Sequence, residues 1–381
     1  MNLFDLSDSE LQKIGAFHTV TEIKGQPLLW RQVFDSYLDF SKNSFPKNSS
    51  KTRVVFTGAG TSAYVGDVLQ AYLTQHGDTE QYEFVSAPTT STVSAPADCL
   101  IPNQPTLLVS FARSGNSPES VAAIQVANQF CRNVRHLIIT CDGDGELAEI
   151  ARAGDPQNYK LWLMPEASND QAFAMTGSFS SMLLSAGLLF DCKHSRANKA
   201  EFMDQLLTNA QSVLERTDQL TAIGESSFSR IVYLGSGALA GLTREAQLKI
   251  LELTAGKIAT IFDSSMGFRH GPKSFINETT LVIVFISPDA YTQQYDLEIL
   301  EEIQTDDIAS AIWGFGTDTG SNPFNLPHTD LPELFSALDY ILAAQIIAVT
   351  KSVAIGNTPD TPSANGTVNR VVKGVTIHPL V

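Results

Sequence analysis

The sequence is poor in basic residues relative to acidic ones. Its 25 lysines and arginines face 41 aspartates and glutamates, and the net charge is −16. A negative field of this size repels polyphosphate chains, so we expect no nucleic-acid partner. Any anionic substrate must instead be held locally, by backbone N–H groups, hydroxyl groups and a few cations.

Cysteine, histidine clusters and long apolar runs are also scarce. The four cysteines include no CxxC pair, and the seven histidines form no HxH or HExxH pattern. We therefore expect reduced, mostly buried cysteines and no metal site. Apolar runs such as Leu281–Ile286 are far shorter than the roughly 20 residues that span a bilayer. The first residues lack a signal-peptide pattern, so we expect a cytoplasmic protein without membrane contact.

Short apolar runs alternate with helical stretches along most of the chain. This alternation is typical of α/β proteins, in which helices cover both faces of a parallel sheet. It restarts near residues 205–225, which predicts an N-terminal helical segment (1–45), a first α/β domain (46–210) and a second (211–381). The predicted strands are Arg53–Thr57, Tyr82–Ser86, Thr106–Phe111, Arg135–Thr140, Lys160–Met164, Arg230–Leu234, Ile258–Phe262, Leu281–Ser287 and Ala309–Phe315, and the longest predicted helical zones are Gln171–Asp191, about 199–218 and Leu334–Ser352.

The first candidate ligand loop, Gly58–Ser62, joins a predicted strand to a predicted helix. Glycines let the backbone turn sharply, so that successive N–H groups point at an anion. Thr61 and Ser62 add hydroxyl donors at the helix start, where the helix dipole also favours negative charge. A tight connection without a ligand has the same pattern, so this loop alone leaves both interpretations open.

A second hydroxyl-rich loop, Ser110–Ser120, follows another predicted strand. Ser117 before Pro118 is typical of an N-cap and a first helical residue, and Arg113 and Ser114 come just before them. A capped helix without a ligand would look similar. Open α/β sheets bind ligands at the carboxyl ends of their strands, so two such loops in one sheet favour a phosphate site.

Six segments, in order, resemble the tandem sugar isomerase (SIS) domain proteins, in particular the isomerase half of glucosamine-6-phosphate synthase. The resemblance implies two tandem αβα SIS domains, flavodoxin-like or Rossmann-like, with parallel sheets. The matching segments are TEIKGQP (21–27), AGTS (59–62), ARSGNS (112–117), LKILEL (248–253), RHGP (269–272) and RVVKGVT (370–376).

Three longer segments, HTVTEIKGQPLLW, PEASNDQAFAMTGSFSSM and DSSMGFRHGPKSF, resemble one branch of that family. This branch contains the galactosamine-6-phosphate deaminase/isomerases, also described as tagatose-6-phosphate ketose/aldose isomerases. The resemblance implies conversion of galactosamine 6-phosphate to tagatose 6-phosphate and ammonia, without a metal or organic cofactor, by a homodimer or homotetramer with shared active sites. Aldose/ketose isomerisation without loss of nitrogen stays open, and so does a non-catalytic sugar-phosphate sensor.

The same resemblance implies roles for individual residues. Glu252 moves a proton between C2 and C1, His270 opens the sugar ring in cis or in trans, and Lys373 lies near the C2 centre, with a Schiff base as one route. Lys249 either bridges to the substrate or holds Glu252 in place. The implied substrate and phosphate contacts are Gly60, Thr61, Ser62, Arg113, Ser114, Ser117, Ser168, Asn169, Gln171 and Lys249.

Overall fold

A computed structural model describes residues 1–43, 45–46, 48–320, 322–363, 366, 368–371 and 374–380. Within this part of the chain lie two five-stranded sheets, and all strand pairs in both are parallel. The predicted fold class, two tandem α/β domains with parallel sheets, is therefore confirmed. The strands are β1 Thr52–Thr57, β2 Tyr82–Ser86, β3 Thr106–Ala112, β4 Val134–Thr140, β5 Tyr159–Leu163, β6 Arg230–Gly235, β7 Ala259–Ser264, β8 Thr280–Phe285, β9 Ala311–Gly316 and β10 Pro323–Asn325.

Helices connect most of the strands, and several single 3₁₀ turns lie between them. The α-helices are α1 Asp8–Ile14, α2 Phe17–Phe40, α3 Thr61–His76, α4 Thr89–Ser94, α5 Pro96–Cys99, α6 Pro118–Phe130, α7 Glu146–Ala153, α8 Gly177–Phe190, α9 Arg196–Glu215, α10 Thr217–Glu225, α11 Ala238–Leu253, α12 Thr292–Asp306 and α13 Glu333–Ala354. The 3₁₀ turns are Leu3–Asp5, Ser41–Asn43, Glu166–Ser168, Gly267–His270 and Pro272–Phe275.

One compact unit, here the loop unit, comprises Leu28–Asp170, Gly177–Arg196 and Gly366–Val381. Its sheet has the order β2-β1-β3-β4-β5, so β1 and β3 are neighbours at its centre. The central strand β3 is buried along its whole length, as expected for a nearly continuous apolar run covered on both faces. The carboxyl ends of β1 and β3 therefore lie side by side, at the edge where ligands bind in such sheets.

The other compact unit, here the carboxylate unit, comprises Met1–Pro27, Gln171–Thr176 and Ala197–Asn365. Its sheet has the order β10-β9-β8-β6-β7. Helix α11 follows β6 and packs against α13. Helix α13 is long and apolar enough to cross a membrane by length and composition alone, but its apolar stretch is completely buried in the described structure, as in the core helix of a globular protein.

The secondary structure departs from the prediction most clearly at the start of α8 and at β10. The helix predicted from Gln171 begins at Gly177 instead. The Asp170 carboxylate accepts hydrogen bonds from the N–H groups of Gly177 (3.1 Å) and Ser178 (2.9 Å), which caps the helix there. The short strand β10 was not predicted, because it is only three residues long and begins with a proline.

Candidate active site

The first loop is shaped by glycine. Gly60 has φ 56° and ψ −129°, a conformation that other residues rarely adopt, and it directly precedes α3. A Cβ on Gly58 would lie 2.6 Å from Ser62, so a larger residue would not fit there. Thr61 and Ser62 are the first two helical residues, and both are buried. The loop thus brings two hydroxyl groups to the N-terminus of α3, at the carboxyl end of β1.

The second loop brings further hydroxyl groups to the N-terminus of α6. Ser117 has extended backbone and Pro118 is the first helical residue, as the sequence predicted. The Ser117 and Ser120 hydroxyl oxygens are 2.7 Å apart. The Asn116 side chain points elsewhere, since its Oδ1 accepts a hydrogen bond from the Glu146 N–H at the start of α7 (2.9 Å). Asn116 therefore fixes the loop to the neighbouring helix.

Arg113 is almost completely buried, and its Nη2 donates a hydrogen bond to the Arg370 carbonyl oxygen (2.8 Å). The Arg370 guanidinium in turn donates to the backbone carbonyl of Asp170 (Nε, 3.1 Å) and contacts the Asn169 Oδ1 (3.3 Å). Arg370 thus ties the C-terminal segment of the loop unit, which begins at Gly366, to the second loop and to the Ser168–Gln171 segment. Sequence reasoning missed this role, although an arginine three residues before Lys373 was the available signal.

The Ser168–Gln171 segment is held mainly by backbone contacts. The Ser168 hydroxyl donates to the Pro165 carbonyl oxygen (2.6 Å), and the Ser168 residue is fully buried. In the carboxylate unit, the Gln171 N–H donates to the Glu22 carboxylate. The Asn169 side chain contacts the C-terminal segment through Arg370.

A cavity of about 670 Å³ lies in the loop unit, between the first loop and the C-terminal segment. Gly60, Pro96 and Glu119 line one side, and Val375–Leu380 line the other. Glu119 is buried, and its Oε2 has no hydrogen-bond partner among the described residues. The cavity is therefore large enough for a small molecule and presents both a helix N-terminus and a carboxylate.

In the carboxylate unit, α11 presents a charged triad on one face. The Lys249 side chain is completely buried, and its Nζ lies 2.8 Å from Glu252 Oε2 and 3.2 Å from Glu245 Oε1. Burial lowers the pKa of Lys249, but the two carboxylates outweigh it, so that the pKa is raised above its usual value. The charged ammonium is therefore favoured, and it lies next to the Glu252 carboxylate, whose side chain is 24% exposed.

His270 lies at the end of the Gly267–His270 turn, and its side chain is exposed. Gly271 follows with φ 126°, which requires glycine, and Pro272 begins the next turn. The flanking Arg269 donates from Nε to the Glu302 carboxylate on α12 (2.6 Å). This ion pair fixes the turn that carries the histidine.

The predicted site residues thus fall into separate groups. The loop unit holds the two hydroxyl-rich loops, and the carboxylate unit holds the Lys249–Glu252 pair and His270. Lys373 lies outside the described residues. Within the residues that the structure describes, no group of three or more His, Cys, Asp or Glu side chains is arranged to hold a metal ion.

Comparisons with known proteins give consistent results. The SIS domain family matches residues 48–191. The D-galactosamine-6-phosphate deaminase AgaS of Escherichia coli is 42% identical over 374 residues, covering 95% of each chain. A crystal structure of a Clostridium novyi NT protein is 38% identical, with a TM-score of 0.92 over 100% of both chains. The crystal structure of tagatose-6-phosphate ketose/aldose isomerase from Escherichia coli is 37% identical, with a TM-score of 0.81 over 95% of this chain and 96% of that one.

Proposed function

This chain belongs to the AgaS family of SIS-domain proteins, and we propose that it converts D-galactosamine 6-phosphate to D-tagatose 6-phosphate and ammonia. The observation that supports this chemistry is the position of the Glu252 carboxylate, whose Oε2 lies 2.8 Å from the buried Lys249 Nζ. The substrate follows from the near-full-length similarity to a D-galactosamine-6-phosphate deaminase. In this proposal the two SIS domains span residues 46–210 and 211–381. The proposed reaction uses no metal and no organic cofactor.

The substrate phosphate binds at the two hydroxyl-rich loops of the loop unit. Thr61 and Ser62 contribute hydroxyl groups and the N-terminus of α3, and Gly60 lets the backbone approach closely. Arg113, Ser114 and Ser117 contribute from the second loop, and Arg113 also supplies positive charge. A further set of contacts, to the sugar hydroxyl groups, comes from Ser168, Asn169 and Gln171.

The reaction begins when His270 transfers protons at O5 and the C1 hydroxyl, which opens the ring to the free aldehyde. Glu252 then removes the C2 proton, and the resulting enolamine takes a proton at C1 to give a 2-imine. Water adds to the imine carbon, ammonia leaves, and the ketone of tagatose 6-phosphate remains. Lys373 assists at C2, and Lys249 keeps Glu252 in place.

The test is ammonia release from galactosamine 6-phosphate. The matched control is Glu301→Gln, which changes an exposed glutamate of α12. It is compared with Glu252→Gln, which removes the proposed base. We expect full activity in the Glu301 variant and a loss of about 10²–10⁴-fold in the Glu252 variant, the usual contribution of a general base. Wild-type ammonia release no greater than that of Glu252→Gln would contradict the proposal.

A second candidate function is aldose/ketose isomerisation without loss of nitrogen. It is favoured by the similarity to the tagatose-6-phosphate ketose/aldose isomerase structure. Tagatose 6-phosphate offered alone distinguishes the two functions, because formation of galactose 6-phosphate requires isomerase activity and no amine.

We further propose that the enzyme acts in the cytoplasm as a homodimer or homotetramer with shared active sites. A complementation experiment tests the sharing. Glu252→Gln and His270→Asn variants are each inactive, and mixing them restores activity only if one site takes its base and its histidine from different copies. Full inactivity of the mixture, with exchange of subunits verified, would place both residues in the same copy.

A further inference from the structure

The two sheets have the same internal topology. Read from the edge strand, the order β2-β1-β3-β4-β5 in one unit corresponds to β7-β6-β8-β9-β10 in the other. In each unit the second strand in this order leads, through a short glycine turn, into a helix: β1 into α3, and β6 into α11. The N-terminus of α11 is therefore the counterpart of the N-terminus of α3.

The two glycine turns also have the same conformation. Gly60 has φ 56° and ψ −129°, and Gly237 has φ 58° and ψ −131°. In one turn the Ser62 N–H donates to the Ala59 carbonyl oxygen (3.1 Å), and in the other the Leu239 N–H donates to the Ser236 carbonyl oxygen (3.0 Å). The backbone that is proposed to hold phosphate in the loop unit is thus repeated in the carboxylate unit.

A carboxylate of the chain itself lies at the second turn. The Ala238 N–H donates to Glu333 Oε2 (3.1 Å), and the Ser287 hydroxyl donates to Glu333 Oε1 (2.8 Å). Ser287 follows β8, the counterpart of β3. A Cβ on Gly237 would lie 2.8 Å from Glu333 Oε1, so the glycine also allows this close approach. Only 9% of Glu333 is exposed.

Glu333 is the first residue of α13, the helix that packs against α11. In the loop unit, the helix that packs against α3 is α8, and its first residue is Gly177. Glycine has no side chain that could reach the N-terminus of α3. The two units therefore differ at this position: the first residue of α13 places a carboxylate at the glycine turn, and the first residue of α8 has no side chain to do so.

The surroundings of Glu333 are acidic. Asp296 is fully buried and accepts hydrogen bonds from the Ser236 hydroxyl (2.5 Å), the Ser265 hydroxyl (2.5 Å) and the Ser287 N–H (2.9 Å). Burial, with a smaller contribution from the charges of Asp296 and Asp289, raises the pKa of Glu333. Such surroundings suit a monovalent carboxylate better than a phosphate dianion.

We propose that Glu333 is a built-in anion that occupies the oxyanion cradle of the carboxylate unit, defined by the Ala238 N–H, Gly237 and the Ser287 hydroxyl. It closes this cradle to substrate phosphate, which leaves the hydroxyl-rich loops of the loop unit as the phosphate site of the proposed function. Removal of the side chain opens the cradle to a small free carboxylate.

Acetate is the probe, because Glu333→Ala removes the equivalent of one acetate from the cradle. Glu333→Gln is the matched control, because it fills the same space without a charge. Unfolding temperatures are measured in sodium acetate at 100 mM and in sodium chloride at equal ionic strength, at pH 7. We expect acetate to raise the unfolding temperature of Glu333→Ala by roughly 2 °C more than that of the wild type or of Glu333→Gln. Mass action predicts a shift of this size when the dissociation constant for acetate lies in the millimolar range.

An equal acetate effect in all three proteins would overturn the proposal. Glu333→Ser is a second open-cradle variant, in case Glu333→Ala is not recovered folded. If both fail to fold in chloride, refolding in acetate decides: a higher yield in acetate, absent for the wild type, supports the proposal, and equal yields contradict it. The experiment measures no turnover, so its result is independent of the proposed reaction.

Discussion

Lys249→Met tests whether a buried ammonium holds the candidate base in place. The substitution keeps most of the side-chain volume but removes the charge between Glu245 and Glu252, and Lys249 and Glu245 are both completely buried. Breaking a buried ion pair usually costs about 3–5 kcal/mol, because a charge is left without a partner. We expect a loss near 3 kcal/mol, the lower end of this range, because Glu252 is partly exposed and water can solvate it.

The pH dependence of folding stability shows whether the lost charge is the cause of the destabilisation in Lys249→Met. Without the ammonium, two carboxylates lie close together at a largely buried site, where like charges destabilise the folded state. Acid neutralises carboxylates, so this destabilisation is lost at low pH. The stability deficit of Lys249→Met should therefore shrink on acidification, and adding Glu245→Gln should recover part of it at pH 7.

Urea unfolding and steady-state kinetics of ammonia release are the assays, with Lys257→Met as the control at an exposed position. If Lys249 positions Glu252, kcat falls by about 10²-fold, as for a misplaced catalytic group, while KM changes little. A rise in KM at constant kcat would mean that Lys249 binds the substrate instead. A variant as stable as Lys257→Met would refute the reasoning on the buried triad.

Three further changes have distinct expected outcomes. Arg370→Ala frees the C-terminal segment and should lower kcat/KM about 10-fold or more with little change in unfolding temperature, whereas Arg132→Ala, at an exposed position, should change neither. Arg113→Ala should mainly raise KM for the phosphorylated substrate; a loss in kcat alone would assign Arg113 to holding the C-terminal segment. Burial raises the pKa of Asp339 well above its usual value, so wild-type stability should fall as the pH rises through this pKa, and Asp339→Asn should flatten that part of the stability–pH profile measured by urea unfolding.

Local patterns in the sequence were sufficient to predict most of the fold. Strand β2 has the predicted bounds, Tyr82–Ser86, and most other predicted strands differ from the observed ones by one or two residues at an end. Apolar runs between turn residues determine these elements, and both are visible locally. The start of α8 was wrong by six residues, because the cap that fixes it is the Asp170 carboxylate, seven residues before Gly177.

The candidate site was predictable only where neighbours in space are also neighbours in sequence. The Lys249–Glu252 contact follows from helical spacing, because the two residues lie three positions apart on α11. The hydrogen bond from Arg113 to Arg370 spans 257 positions, and the bond from Ala238 to Glu333 spans 95. Nothing in the local pattern at Glu333 distinguishes it from an ordinary acidic residue at a helix start.

The central claim is that Glu252 moves the C2 proton of galactosamine 6-phosphate and that ammonia then leaves. The most direct measurement runs the reaction in D₂O and quantifies ammonia, tagatose 6-phosphate and deuterium at C1 together. The account predicts equimolar ammonia and tagatose 6-phosphate for the wild type, and neither product above background for Glu252→Gln. The hydrogen added at C1 is protium where Glu252 delivers the C2 proton directly, and deuterium where Glu252 exchanges with the solvent first. Tagatose 6-phosphate formed by Glu252→Gln at the wild-type rate, or no ammonia from the wild type, would contradict it.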